Sequence, residues 1–138
     1  MTLKDIAIRT VETAAPDASV ERLARVMADA GVGSVVVTDE NRVVGVVTDR
    51  DVALTVASGD DPTRVTAADV MAAEPLTLPS NAGIAELTEA MADGGVRRIP
   101  VVDDGGVIVG IVTLDDVVRL LSAELANLAT VIDAESPR

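Results

Sequence analysis

The apolar positions of this chain follow two periods, one helical and one extended. Val20, Leu23, Ala24 and Met27 recur at i, i+3, i+4 and i+7, which predicts a helix over about residues 20–30 that Gly31 ends in a left-handed cap. Ser34-Val-Val-Val-Thr38 and Arg42-Val-Val-Gly-Val-Val-Thr48 are β-branched runs joined by Asp39-Glu40-Asn41, and they predict an antiparallel hairpin. Both runs are apolar on two faces, so helices are expected against one face and some other cover against the second. Ahead of them, Thr2-x-x-Asp5 reads as a capping box opening a short helix, and Val11 to Ala14 as a brief extended stretch before a turn at Pro16. A further helix begins near Asp49 and stops before Gly59-Asp60-Asp61-Pro62, which reads as a linker.

The same order is then written again. Thr2 falls on Thr66 and Met27 on Met91, 64 positions on; one inserted residue at the Asp104-Gly105-Gly106 turn makes the step 65, which carries Thr48 onto Thr113. The second copy has a short capped helix from Thr66, an extended Pro75-Leu-Thr-Leu78, and a helix bearing Ile84, Leu87 and Met91. Strands at Ile99 to Val102 and Val107 to Thr113 follow, then a helix from Leu114. That last helix outruns its counterpart: Val117, Val118, Leu121, Leu125, Leu128 and Ile132 form a stripe that one copy cannot cover, so it is expected to pack on the other repeat or on a second chain. The fold class is therefore mixed α/β (α+β), two βαββα repeats, divided as residues 1–64 and 65–138, the second with an extended C-terminal helix.

Chemistry concentrates where a strand hands over to a helix. Gly45-Val46-Val47-Thr48-Asp49-Arg50-Asp51 returns as Gly110-Ile111-Val112-Thr113-Leu114-Asp115-Asp116. Each copy sets a hydroxyl and a carboxylate at a helix N-terminus, where backbone N–H groups are unpaired and an anion can be cradled. The same Thr-x-x-Asp pattern is also a plain capping box, as at Thr2/Asp5 and Thr66/Asp69, and the two roles are compatible because a cap leaves one carboxylate oxygen free.

Composition narrows what the corners can do. Over 138 residues the hydrophobic content is 49% with no Phe, Trp or Tyr, so a flat ligand must sit between aliphatic walls. Cysteine and histidine are absent, which removes thiol chemistry, imidazole bases and the usual zinc ligands; no catalytic or metal-ligating residue is assigned and no cofactor is required. No apolar run approaches the ~20 residues of a membrane span, and the first residues lack the apolar core of a signal peptide, so a soluble cytoplasmic protein is expected. A net charge of −12 opposes nucleic-acid binding. With Lys4 as the only lysine, the balance resembles proteins of salt-accumulating cells, where a Debye length near ~3 Å at 1 M salt damps self-repulsion. An ordinary acidic cytosolic protein is the other reading.

Taken together, the tandem βαββα units, the Gly-apolar-apolar-Thr-x-x-Asp corners and the strand Arg98-Ile99-Pro100-Val101-Val102-Asp103 resemble a pair of cystathionine β-synthase (CBS) domains, over essentially the whole chain and with no sequence left for a catalytic domain. The resemblance implies a pseudo-twofold pair packed sheet to sheet with two clefts. It also implies adenosine-containing ligands such as AMP, ADP, ATP or S-adenosylmethionine, a homodimer, and a sensing or regulatory role toward some protein target. Position by position it places the ribose-binding aspartate at Asp51 and Asp116, and the threonine facing phosphate or ribose at Thr48 and Thr113. The backbone that reads adenine falls at Thr13-Ala14 and Thr77-Leu78, strand positions beside the base at Val36 and Pro100, and a basic position that could meet phosphate at Arg98.

The copies are unequal. Gly33-Ser34 stands in the first where Arg97-Arg98 stands in the second, so the second cleft ranks above the first; Arg50 is expected to compensate in the first, and Asp115 to repel phosphate in the second. Strand alternation allows one of Arg97 and Arg98 to reach the cleft, and a surface salt bridge is the plain alternative. Asp60-Asp61, Asp103-Asp104 and Asp115-Asp116 read as turn and cap residues rather than as magnesium ligands or an acid/base pair. The acidic field favours AMP or cationic S-adenosylmethionine over ATP. A second hypothesis keeps the fold but leaves the clefts empty, with the final helix mediating assembly as an interaction scaffold.

Overall fold

Two hairpins form the spine of two small sheets. The structure, a computed structural model, describes residues 1–7 and 10–136. In chain order the elements are α1 (Leu3–Ile6), β1 (Thr13–Ala14), α2 (Val20–Ala30), β2 (Ser34–Asp39), β3 (Arg42–Thr48), α3 (Asp49–Ala57), α4 (Ala67–Val70), β4 (Ala72–Ala73), β5 (Leu78–Pro79), α5 (Ile84–Gly94), β6 (Arg98–Val102), β7 (Ile108–Thr113) and α6 (Leu114–Glu135). The first sheet runs β1-β2-β3-β4 and the second β5-β6-β7; in each the opening strand is parallel to its neighbour and the hairpin antiparallel.

The two hairpin turns solve one problem differently. Glu40 and Asn41 both take positive φ, 51° and 67°, the conformation of a two-residue turn that matches strand twist. In the second copy the inserted residue gives a longer turn, closed by Asp103 Oδ1 accepting from Gly105 N and Val107 N. Gly31 ends α2 and Gly95 ends α5 with φ of 66° and 60°, as the sequence predicts for Gly31.

Strand alternation divides the apolar residues between two destinations. Val35, Val37 and Val47 pack with Leu23 and Met27 of α2 in one core, and Ile99, Val101 and Val112 pack with Leu87 and Met91 of α5 in the other. The intervening Val36, Val46, Pro100 and Ile111 are also buried, on the faces the sheets turn toward each other. Helices therefore cover one face of each sheet and the opposite repeat covers the other, which is the two-sided cover that the sequence demanded.

Packing crosses the boundary between the repeats. Leu3 of α1 is fully buried in the core of the second repeat, tied there by Leu3 N to Ala82 O at 2.9 Å and Lys4 N to Ser80 O at 2.9 Å. Ala67 of α4 is its mirror, fully buried in the first core, with Ala67 N bonded to Ala18 O at 2.8 Å and Ala68 N to Pro16 O at 2.9 Å. Each copy thus closes the other's core with its own first helix. The strand β4, which follows α4, stays on the same side and pairs with β3 at Gly45↔Ala73 and Val46↔Ala72.

Beyond Val117, the buried residue of α6, the helix runs on with Val118, Leu121, Leu125, Leu128, Val131 and Ile132 between 45% and 66% exposed. It does not fold back onto the other repeat.

Candidate functional site

The exchange of first helices brings chain from one repeat to the strand–helix corner of the other, and a cleft opens at each junction. The first cleft, about 330 Å³, is lined by Thr48 and Asp51 of the first repeat and by Pro75, Leu76, Arg97 and Arg98 of the second. The second, about 250 Å³, is lined by Thr113 and Asp115 of the second repeat and by Thr10, Glu12, Gly33 and Val36 of the first, again with Arg97 and Arg98. The first lies at the lower end of the ~300–1,000 Å³ usual for small-molecule pockets and the second just below it. Neither has an aromatic wall; Val46, Val96 and Leu76 supply apolar surface in one, Val11, Val36 and Ile111 in the other.

The corners are capping boxes of closely matched geometry. Thr48 N donates to Asp51 Oδ2 at 2.8 Å, Thr48 Oγ1 donates to the same oxygen at 3.2 Å, and Asp51 N donates back to Thr48 Oγ1 at 3.4 Å. Thr113 N donates to Asp116 Oδ2 at 2.9 Å and Asp116 N to Thr113 Oγ1 at 3.3 Å. In each carboxylate the cap occupies Oδ2, and among the described residues no donor reaches Oδ1. A half-buried acid held by one oxygen presents the other as a fixed acceptor for hydroxyl groups.

The positions expected to bind do not all converge. Asp51 lines its cleft, whereas Asp116 is half-buried one residue behind Asp115, which lines the second. Val36 faces Thr113 of the other repeat rather than Thr48 of its own. Pro100 is buried against the sheet seam and lines neither cleft. Thr13 and Ala14 belong to β1 and line a separate depression with Arg22, Thr38 and Asn41. Leu78 is in the second core, and Thr77 beside it lines neither cleft. The chain that the clefts receive lies N-terminal to those positions: Thr10-Val11-Glu12 and Pro75-Leu76 line them, ahead of the starts of β1 and β5.

The charged residues also differ from expectation. Arg50 is exposed on α3 and lines neither cleft, so it does not supply the first with a cation. Arg97 and Arg98 line both, and the ground for ranking the second cleft higher falls with that. Alternation does not separate them because β6 begins at Arg98, leaving Arg97 in the preceding turn. Arg97 Nη2 is 3.9 Å from Asp115 Oδ1 with both side chains about 70% exposed, a contact of little energetic weight. Arg98 faces Thr113 across the β6–β7 ladder, and its Nη2 would lie 2.9 Å from a Cβ at residue 33, with Asp49 Oδ2 at 3.2 Å from the same point. Sequence reading found the arginines but assigned them to one side, since nothing local says that a strand entry will serve two clefts.

No group of three or more acidic residues among the described positions is arranged to hold a metal ion, and no helix there is long and apolar enough to cross a membrane. Asp61 bonds Thr63 and Asp103 closes its turn, so both act as turn residues.

Two like halves, closed face to face around a pair of clefts with a hydroxyl–carboxylate corner in each, define a tandem ligand-cleft module. The chain belongs to the CBS-domain family: the family model matches residues 3–58 and 67–123. Among curated relatives, the uncharacterized protein MK0525 of Methanopyrus kandleri is 36% identical over 118 residues, which is 84% of this chain and 60% of that one, so the chain spans less than two thirds of that relative. The CBS domain pair of protein MJ0100, solved in complex with 5′-methylthioadenosine and S-adenosyl-L-methionine, superposes with a TM-score of 0.82 at 25% identity, covering 90% of this chain and 98% of that one. The CBS domain protein PAE2072 from Pyrobaculum aerophilum, complexed with AMP, gives 0.81 at 25% identity over 92% and 99%. Pairs of this family are generally regulatory modules.

Proposed function

We propose that this chain is a non-catalytic regulatory module that binds an adenosine derivative in the clefts between its repeats, occupancy altering a contact with a second copy or a target protein. The observation that carries the reading is the first corner, where Thr48 and Asp51 at a helix N-terminus line a cleft with apolar residues Leu76 and Val96 of the other repeat; in the second cleft Thr113 lines the wall with Val36 of the first repeat and the acid on the wall is Asp115. Sugar hydroxyls suit the acid, and the aliphatic walls suit a base. The likeness to pairs complexed with AMP and with S-adenosyl-L-methionine supports the ligand class. Three or four phosphate charges of ATP fit poorly in a chain of net charge −12, so AMP or S-adenosylmethionine is favoured. Titration calorimetry with adenosine, AMP, ATP and S-adenosylmethionine tests this: saturable binding lost in Asp51→Ala supports it, and no heat with any of the four refutes it.

One observation favours assembly as a second part of the function. Leu114, Val118, Leu121, Leu125, Leu128 and Ile132 are spaced alternately by four and three residues along the exposed side of α6, the seam of a two-stranded coiled coil with leucine at one set of positions and Val, Leu and Ile at the other. From Val117 to Ile132 the only charges are Arg119 and Glu124, so a second acidic copy meets little repulsion there. The occupant proposed is a second copy of this chain. Light scattering should give a dimer that Leu125→Glu converts to monomer; a monomeric wild type at micromolar concentration refutes it.

A further inference from the structure

We infer that Arg97 and Arg98 form one anion seat shared by both clefts, so that the module accepts a single phosphorylated adenosine ligand at a time and leaves the other cleft to an uncharged or cationic one. This rests on the adenosine reading and adds a rule of occupancy to it. These two guanidinium groups line both clefts, and among the described residues no other basic residue lines either. The pseudo-twofold would demand a second pair at the matching positions of the first repeat, but Gly33 and Ser34 stand there and carry no charge. Beside Gly33 the Arg98 Nη2 lies 2.9 Å, and Asp49 Oδ2 3.2 Å, from where a Cβ would stand.

The seat is unspent. Arg98 is half-buried, and among the described residues its side chain makes no ion pair within 4.0 Å and no hydrogen bond, the exposed Asp49 carboxylate standing across Gly33 from it without pairing; Arg97 has only the 3.9 Å contact with exposed Asp115. A half-buried cation without a partner is a place for an anion. The rest of the lining charge is acidic, Asp51 in the first cleft and Glu12 and Asp115 in the second. Once a phosphate dianion holds both guanidiniums, the unfilled cleft keeps only its carboxylates, and a second phosphate meets repulsion from them and from the first ligand.

Calorimetric titration of the full chain at low ionic strength, with adenosine and AMP as separate probes, tests the seat. Adenosine is expected to fill both clefts with similar affinity, while AMP fills one and enters the other about ten-fold more weakly, a coupling of ordinary size that 1 M salt removes. Arg98→Gln should bring AMP down to the affinity of adenosine, and Arg98→Lys should retain part of the gain. Two equal AMP sites, or an equal second-site loss with adenosine, overturn the shared seat and leave the adenosine reading standing. No binding of either probe overturns both.

Discussion

The two strand–helix corners share one local pattern, and what differs is what the opposite repeat delivers to each. Thr48/Asp51 receives Pro75-Leu76 and both arginines, with its acid on the cleft wall; Thr113/Asp116 receives Thr10-Val11-Glu12 and the same arginines, with Asp115 rather than Asp116 on the cleft wall. Local sequence makes the corners alike, and tertiary exchange makes the clefts unlike. A duplicated sequence can therefore diverge in function without touching the repeated motif, by changing the segment that the other half contributes.

The exchange of first helices is the part of the comparison most easily broken. Leu3 fills the second core where its counterpart Ala67 fills the first, so the second half relies on a larger borrowed side chain. Leu3→Ala removes a fully buried side chain and should cost about 2–5 kcal/mol, measured by urea unfolding. Ala67→Leu should cost about 1–3 kcal/mol by overpacking. Equal and small effects would mean that neither helix closes the other repeat's core.

Next in size are the corner acids. Asp51→Ala removes a charged acceptor on the cleft wall and should lower nucleoside affinity about 10–100-fold, while the lost cap costs about 1 kcal/mol of stability. Asp116→Ala should lose the same cap with a smaller effect on affinity, since Asp116 does not line the second cleft. Asp51→Asn should keep the cap and separate the two roles. If both alanine variants lose stability alone, the acids cap helices and bind nothing.

How much of this was legible follows from where each signal lives. Helix periods, the caps at Thr48 and Thr113 and the stop at Gly31 are set by neighbours within a turn, and the structure reproduces them. The core residues Leu23, Met27, Leu87 and Met91 were likewise written in the helical period. The strand β4 was not, because Ala72-Ala73 carries no alternation and pairs only through its backbone. The convergence of Val36 with Thr113, and of Arg98 with Thr48, was also hidden: Thr2-Asp5 and Thr66-Asp69 are the same motif, and nothing in either says whose core its helix enters. Arg50 differs for a related reason, since one step along a helix turns a side chain about 100° away from its neighbour, and Arg50 is exposed where Asp51 lines the cleft.

The smallest effect compares the two borrowed helices by pH. Asp5 and Asp69 have carboxyl pKa values below their ordinary 3.8, chiefly because the backbone N–H groups of Thr2 and Thr66 donate to the charged form. A carboxyl lowered on folding adds stability that is fully present above 3.8 and is lost as pH falls through the lowered value. Urea midpoints should therefore be level near neutrality and drop below about pH 4, with a shallower drop in Asp5→Asn and Asp69→Asn, whose amide oxygens still cap the helices but do not titrate. Because Asp5 caps the helix that enters the second core and Asp69 the one that enters the first, the variants also report on cooperativity. One shared transition shifted by either variant means that the exchange welds the halves into a single folding unit; two transitions, each answering to one variant, mean that the repeats unfold apart. Identical acid slopes in all three proteins would remove these boxes as a source of charge-dependent stability.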